Sequence, residues 1–300
     1  MTRTMSFYRG KRILVTGGSS GIGRAAALQL AREGADVAIA ARDEDRLRAT
    51  LAELREAAAA QAQRFAAITM DVASAGSVEG GVAEARATLG GIDVLINNAG
   101  YAIPGYIDRV TEADCKAMLE VNYLGAVRTV RAVLPEMMAQ RAGVIANVTS
   151  MLGFMGTFGY AAYAGSKYAL SGFTECLRQD LLPFGIAVHL CYPPTTKTPG
   201  LDKENQIKPP EAWAIEGTSR AFTPEAVARA LLRGIRRKRF HILVGADSAL
   251  IWRMQRFVPW VVRWVTDGIL RKHLTKHGDG RKLLASPGGD PAAARSVREP

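Results

Sequence analysis

An apolar run at residues 11–16 (Lys-Arg-Ile-Leu-Val-Thr) passes directly into Gly17-Gly18-Ser19-Ser20-Gly21-Ile22-Gly23 and then into an alanine-rich segment. A buried strand that turns sharply into a helix needs residues without a Cβ, because glycine accepts positive φ and lets another backbone come close. The free amides at the start of such a helix favour an anion, and the Gly-x-x-x-Gly-x-Gly spacing suits a pyrophosphate lying across the turn. A glycine loop alone is also compatible with a simple tight turn, so its meaning depends on what surrounds it.

The surrounding pattern is one of alternating strands and helices. Apolar runs at residues 13–15, 37–41, 94–96 and 186–190 read as buried strands, and helical periodicity marks 24–32, 44–59, 78–89, 116–140, 161–182 and 224–237. This order predicts an α/β protein with a Rossmann-type, doubly wound parallel sheet covered on both faces. The 300 residues are read as one catalytic domain over 1–245, a basic amphipathic extension over 246–284, and a disordered tail over 285–300 rich in Ala, Gly, Pro, Ser and charge. No internal repeat of solenoid type is present.

Tyr163 and Lys167 stand four residues apart in a predicted helix, with Ser150 thirteen residues before the tyrosine. Side chains at i and i+4 share a helix face, so the ammonium can lie under the phenol. A phenol starts near pKa 10, and a unit charge about 4 Å away at an effective dielectric of about 20 is worth roughly 4 kcal/mol, or up to about three pKa units. The expectation is a tyrosine tuned to exchange a proton with a ketone or alcohol oxygen, with Ser150 hydrogen-bonded to the same oxygen. Tyr-x-x-x-Lys also occurs on ordinary helix surfaces.

The second strand bears on cofactor choice. About 20 residues past the glycines, where a carboxylate would bind adenosine ribose hydroxyls, the chain has Ala41 followed by Arg42. A guanidinium pairs bidentately with a 2′-phosphate, so NADP(H) is expected; the other reading is a solvated Arg42 paired with Asp43 or Glu44.

With these residues in place the chain resembles the short-chain dehydrogenase/reductase family over about residues 9–245. Thr16-Gly17-x-x-x-Gly21-Ile22-Gly23 matches its cofactor motif, Asp71-Val72 its adenine-contacting pair, and Asn97-Asn98-Ala99-Gly100 its mid-sheet motif. Asn122, Ser150, Tyr163 and Lys167 match its catalytic tetrad. The resemblance implies a cofactor site of Gly17, Ser19, Ser20, Gly21, Ile22, Gly23, Arg42, Asp71, Val72, Asn98, Ala99, Gly100, Tyr163, Lys167, Pro193, Thr196 and Thr198. It also implies that Asn122 holds a relay water, that Lys167 binds the nicotinamide ribose, and that homodimers or homotetramers form through helices containing 121–140 and 161–182.

Cys191-Tyr192-Pro193-Pro194-Thr195-Thr196-Lys197-Thr198-Pro199-Gly200, followed by Glu204-Asn205 and Lys208-Pro209, is similar to the 3-ketodihydrosphingosine reductase group within that family. That similarity implies NADPH-dependent reduction of 3-ketosphinganine, a long-chain keto-amine lipid, to sphinganine. Reduction of another lipophilic ketone, such as a steroid or 3-oxoacyl thioester, and a non-catalytic cofactor-binding membrane scaffold are the other readings. Pro194 stands where the family more commonly has glycine and should stiffen the loop beside the nicotinamide. Thr198 takes the place of the family's carboxamide-binding threonine. The polar stretch 195–222 reads as a substrate lid or, otherwise, a long connection. Eukaryotic members of the group carry an N-terminal membrane segment, whereas residues 1–9 hold no apolar run.

Charge is concentrated at one end. Residues 1–228 hold 23 Lys/Arg and 23 Asp/Glu, while 229–300 hold 16 and 5, so the whole +11 lies in the last quarter. Within it, residues 249–271 place Leu250, Met254, Val258, Val261, Val262, Val265 and Ile269 on one helical face, and Arg253, Arg256 and Arg263 on another. Trp252, Phe257, Trp260 and Trp264 are interleaved, and Pro259 should kink or split the helix. Three charges oppose a spanning helix. A peripheral location on the cytoplasmic face of a membrane, with aliphatics at the acyl boundary and arginines on anionic lipid, is expected; the alternative is packing on the catalytic domain or a subunit partner. No nucleic-acid motif accompanies the basic residues, so nucleic acid is not an expected partner. Cys115, Cys176 and Cys191 lack metal-ligand spacing and read as reduced thiols. His273 and His277 have i, i+4 spacing without a third ligand, so no metal is expected.

Overall fold

A computed structural model describes residues 7–217 and 220–281. Seven strands form one all-parallel sheet: β1 (Arg12–Thr16), β2 (Asp36–Ala41), β3 (Phe65–Thr69), β4 (Val94–Asn97), β5 (Gly143–Val148), β6 (Ile186–Tyr192) and β7 (His241–Leu243). Their order is β3-β2-β1-β4-β5-β6-β7, so the winding reverses between β1 and β4. In such a sheet the crossovers diverge at that point and leave a crevice at the carboxyl ends of the strands. The glycine turn after β1 opens into that place. The four expected strands are present; β3, β5 and β7 complete the sheet. β3 is an alanine-rich edge strand with alternate residues half-exposed, and β7 has three residues, so neither carries the long apolar run that identifies a buried strand.

Both faces are covered. Ile13, Val15, Val37 and Ile39 pack on one side with Leu28 and Leu30 of α1 (Gly21–Arg32), Leu47 and Leu54 of α2 (Glu44–Glu56), and Val227 and Leu231 of α9 (Pro224–Arg236). Leu14, Leu95 and Ile145 face the other way, against α3 (Ala75–Leu89), α5 (Gly125–Gln140) and α6 (Ala161–Leu181). Each fully buried aliphatic of this kind contributes roughly 1.5–3 kcal/mol.

The single helix expected over 116–140 is instead α4 (Glu112–Leu119), one π-helical turn (Glu120–Leu124) and α5. A π-bulge inserts one residue into the hydrogen-bond ladder and re-aims its side chains, which apolar periodicity does not reveal. Asn122 lies in that turn.

A polar chain crosses the centre of this otherwise apolar body. Asn97 donates to Asn147 Oδ1 at 2.9 Å and accepts from Thr129 at 2.6 Å, and Asn147 donates to Thr174 at 2.9 Å. β4, β5, α5 and α6 are thereby held in one register, because any slip would leave buried amides unpaired.

Beyond β7, Pro259 divides the expected amphipathic helix into α10 (Ala246–Phe257) and α11 (Pro259–His277). They pack on each other, and α11 lies on α8 (Pro210–Glu216) of the stretch expected to be a lid. Trp252 stacks on His241 of β7, ring centroids 5.1 Å apart. Packing changes the expected outward face. Of the expected aliphatic face, Met254, Val258, Val261, Val262 and Ile269 are half-covered and Leu250 and Val265 are exposed, while Phe257, Trp260 and Trp264 are 77, 65 and 74% exposed. No helix among the described residues is long and apolar enough to cross a membrane. The rings of His273 and His277 lie 4.9 Å apart. The tail expected over 285–300 lies outside the described residues.

Asn147→Ala removes the acceptor of Asn97 and the donor to Thr174 at a fully buried position. We expect a loss of about 1–3 kcal/mol, read as a lower urea midpoint at unchanged slope.

Candidate active site

Gly17 and Gly21 have φ of 64° and 53°, so a Cβ at either would be strained. A Cβ at Gly23 would collide with the Gly17 carbonyl and lie 2.6 Å from Asn98 Nδ2, which explains why strand and helix can meet this closely. The turn is clasped from β4. Thr16 Oγ1 accepts the amides of Asn98 and Ala99 at 3.0 and 3.1 Å, and Asn98 Nδ2 returns hydrogen bonds to the carbonyls of Thr16 and Gly17, both at 3.2 Å. Asn98, expected to touch the cofactor, uses its amide to hold the turn.

Ser19, Ser20 and Gly21 line a cavity of about 330 Å³ with Arg24, Arg46, Pro199, Pro224 and Glu225. Ser20 is the N-cap of α1 and makes no capping hydrogen bond, so no side chain closes the first amides of that helix. These features suit an extended, anionic dinucleotide. Ile22 is half-buried against the core. Arg24 is paired with Glu53, and Arg46 with Asp43 at 3.1 Å. Arg42 is exposed at the end of β2 and, among the described residues, is in no ion pair; Asp43, the partner first considered for it, is occupied by Arg46. Asp71 follows β3, its carboxylate accepting the amide of Ala73 at 2.9 Å, and Val72 packs beside Gly125.

Across the crevice, α6 presents Tyr163 and Lys167 toward Ser150 at the end of β5. Ser150 accepts the Leu152 amide at 3.1 Å, and its hydroxyl is close enough to the Tyr163 phenol to pull that phenol's pKa down. Lys167 is buried, its Nζ 3.3 Å from the Val148 carbonyl and 5.7 Å from the Tyr163 ring centroid. Asn122 donates to the Tyr101 carbonyl and to Ser166, each at 2.9 Å, and accepts the Tyr101 amide at 2.9 Å. Gly100 separates Asn122 from Lys167: a Cβ there would lie 2.9 Å from Asn122 Oδ1 and 3.2 Å from Lys167 Nζ. The four expected catalytic residues therefore meet at one place, although 45 positions separate the first from the last.

One electrostatic expectation is corrected. Burial and the Glu204 charge push the Tyr163 phenol up, against the nearby Ser150 hydroxyl, and burial, opposed by the Glu204 charge, lowers Lys167 to about 8. Desolvation acts on both members of the pair, so the protein alone does not bring the phenol toward neutrality.

Pro193, Thr196 and Thr198 form the wall beyond β6. The Pro193 carbonyl accepts the Met151 amide at 3.0 Å, and Thr196 donates to the Pro194 carbonyl at 2.7 Å. Thr198 caps α7 (Pro199–Asn205) by accepting the Leu201 amide at 3.2 Å, and its methyl would lie 3.0 Å from a Gly21 Cβ. α7 and α8 cover the Tyr163 side, and Tyr160 donates to Glu204 at 3.2 Å. Tyr160 and Glu204 were not among the residues expected to form the site; a carboxylate in a proline-flanked crossing beside the crevice was the available signal.

Comparison with known proteins agrees with this arrangement. The family model for short chain dehydrogenases matches residues 11–208. The chain is 36% identical to a 3-ketodihydrosphingosine reductase of Bos taurus and 39% identical to a 3-dehydrosphinganine reductase of Danio rerio, in both cases across 81% of this chain and 73% of the relative. Among solved structures it is similar to a short chain dehydrogenase/reductase from Burkholderia phymatum in complex with NAD, at 26% identity and TM-score 0.74 over 83% of this chain and 94% of that one. An NAD+-bound xylitol dehydrogenase is 30% identical with TM-score 0.69, over 80% and 100% of the two chains. Motif, topology and tetrad geometry lead to one assignment: the chain belongs to the short-chain dehydrogenase/reductase family of oxidoreductases.

Proposed function

We propose that this protein reduces the keto group of 3-ketosphinganine to sphinganine with NADPH, a step of sphingolipid synthesis. The observation that carries the reaction type is the half-buried Tyr163 with buried Lys167 5.7 Å from its ring centroid and Ser150 near the phenol, in a crevice headed by an uncapped glycine turn. The substrate is supported by the similarity to reductases named for it in cattle and zebrafish.

The cofactor would supply a hydride to the carbonyl carbon. Gly17, Ser19, Ser20, Gly21, Ile22 and Gly23 would hold its pyrophosphate and Asp71 and Val72 its adenine. Ala99, Gly100, Pro193, Thr196 and Thr198 would line the remainder. Ser150 donates to the ketone oxygen and holds it against Tyr163, which transfers the phenolic proton to that oxygen as it becomes a hydroxyl. Lys167 stays charged below about pH 8, so it stabilises the phenolate that results and donates to the cofactor ribose. Asn122 and Lys167, facing each other past Gly100, form the path by which the phenolate regains a proton through water. Arg42, free of ion pairs among the described residues, would receive the 2′-phosphate of NADP(H).

Lipid delivery agrees with the extension. Phe257, Trp260 and Trp264 project from α10 and α11 together with exposed Arg253, Arg256 and Arg263, and α11 is seated on the lid helix α8. Aromatic rings at headgroup depth and guanidinium groups on an anionic leaflet, at about 1 kcal/mol each, would hold the crevice next to the bilayer. Homo-oligomer formation through α5 and α6 is supported by exposed Tyr168 on α6 and Leu182 just after it.

Purified protein is expected to oxidise NADPH with 3-ketosphinganine in mixed micelles. Tyr163→Phe should lose at least about 100-fold in kcat/KM while still binding NADPH. Turnover only with a steroid or 3-oxoacyl thioester would discard the substrate, and failure to oxidise NADPH with any of these ketones would favour the scaffold reading. NADPH should be preferred over NADH, and Arg42→Ala should reduce that preference about tenfold or more, the worth of a charge-assisted hydrogen bond; equal use of both by the unaltered enzyme overturns the cofactor assignment. Sedimentation with vesicles containing phosphatidylserine should exceed that with phosphatidylcholine alone and fall in Trp260→Ala/Trp264→Ala. Equal, negligible sedimentation in both would remove the membrane surface.

A further inference from the structure

α7 starts at Thr198, whose side chain lies against the glycine turn at Gly21, and it runs on to the Tyr163 side of the crevice. There Glu204 accepts a hydrogen bond from Tyr160 at 3.2 Å, and the Tyr160 ring is centred 6.1 Å from that of Tyr163. Among the described residues no Lys, Arg or His side chain lies within 4 Å of the Glu204 carboxylate, and Tyr160 is its one hydrogen-bond donor. Lys208, the cation closest to it in sequence, is committed elsewhere. Its Nζ is paired with Glu216, donates to Asn205 Oδ1 at 2.8 Å, and stands 4.4 Å from the Trp213 ring centroid.

Glu204 is thus a partly buried carboxylate with one neutral donor, Tyr160, whose ring adjoins that of Tyr163. Burial raises it to about 7; Lys208, the Tyr160 hydrogen bond and Lys167 pull it down, and Glu216 pushes it up. A group held at that balance gains most from a cation brought to it, because the pairing relieves a desolvation cost the protein itself leaves uncompensated.

We propose that Glu204 receives the ammonium that the substrate carries on the carbon next to its ketone, and so selects 2-amino ketones over plain ketones. This rests on the reading of the substrate as a keto-amine. A ketone oxygen and the nitrogen on the adjacent carbon are roughly 3 Å apart, and a hydrogen bond adds about 2.8 Å at each end. Tyr160 links the two side chains, its ring centred 6.1 Å from that of Tyr163 and its hydroxyl on Glu204, so a substrate lying along it can place its ketone oxygen on Tyr163 and its nitrogen on Glu204. The contact leaves the redox balance unchanged: the carbonyl carbon gains hydride and its oxygen gains the Tyr163 proton. Its effect is to fix which face of the carbonyl is presented. A ketone without the amine would leave the carboxylate buried and unpaired, which is the physical origin of the discrimination.

The test compares kcat/KM for 3-ketosphinganine with that for the 1-hydroxy-3-ketone of the same chain length lacking the amine, in identical micelles. The unaltered enzyme should favour the amine by at least about tenfold, and Glu204→Gln should reduce that ratio about tenfold, mainly through KM. Glu204→Asp should restore part of it. NADPH binding by fluorescence reports whether each variant is folded. Should Glu204→Gln not fold, Tyr160→Phe, which removes the hydrogen bond orienting the carboxylate, should lower the same ratio by a smaller factor. An unchanged ratio in folded Glu204→Gln, even with both activities reduced, overturns the proposal and leaves the substrate assignment standing. Reduction of the plain ketone but not of 3-ketosphinganine by the unaltered enzyme overturns the substrate assignment, and this proposal with it.

Discussion

The clasp between Thr16 and Asn98 supports everything else in the crevice. A single hydroxyl accepts two backbone amides from the residues just after β4, and a single side-chain amide returns to two carbonyls where β1 enters the glycine turn. These bonds join β1 and β4, the two strands between which the winding of the sheet reverses. Without them the divergence of the crossovers would leave a gap of undefined shape; with them the turn is fixed, and its uncapped helix amides face the cavity. A neighbouring constraint of the same kind, the Asn97–Asn147–Thr174 chain, fixes β5 and α6 relative to that turn. Tyr163 and Lys167 of α6 and the glycine turn thus belong to one hydrogen-bonded frame.

Within that frame the proton-transfer groups are held at an electrostatic cost. Tyr163 and Lys167 are both disfavoured in their charged forms by burial. A desolvated site strengthens any charge brought into it. Glu204 extends the same logic to the lid, where a carboxylate is left with Tyr160 as its donor while the adjacent lysine is bound to Glu216. The site is arranged around charges that ligands would complete.

The extension is mechanically part of the lid. Glu211 of α8 is fully buried, accepting the Tyr106 hydroxyl and the Gly280 amide, each at 2.8 Å. Arg281 reaches Asp108 at 3.8 Å in the loop that carries Tyr106. These bonds tie the end of α11 to α8 and to the loop after β4. The exposed Phe257, Trp260 and Trp264 lie on the outside of this same assembly.

Much of this protein was legible in the amino-acid order, because the determinants are local. Glycine spacing specifies a turn, apolar runs specify buried strands, and Tyr163 and Lys167 share a helix face by period alone. The short strands β3 and β7 and the π-turn that carries Asn122 were not legible, since edge strands and bulges leave little periodic trace. Only the tertiary structure decided that Asn98 clasps the turn instead of reaching outward, that burial outweighs the lysine in setting the Tyr163 phenol, and that Glu204 comes within reach of Tyr160. It also decided that most of the aliphatic face of the extension is half-covered, with Trp252 against His241, while Phe257, Trp260 and Trp264 are exposed. Each of these depends on contacts between residues distant in the chain, where desolvation and packing, not spacing, set the outcome.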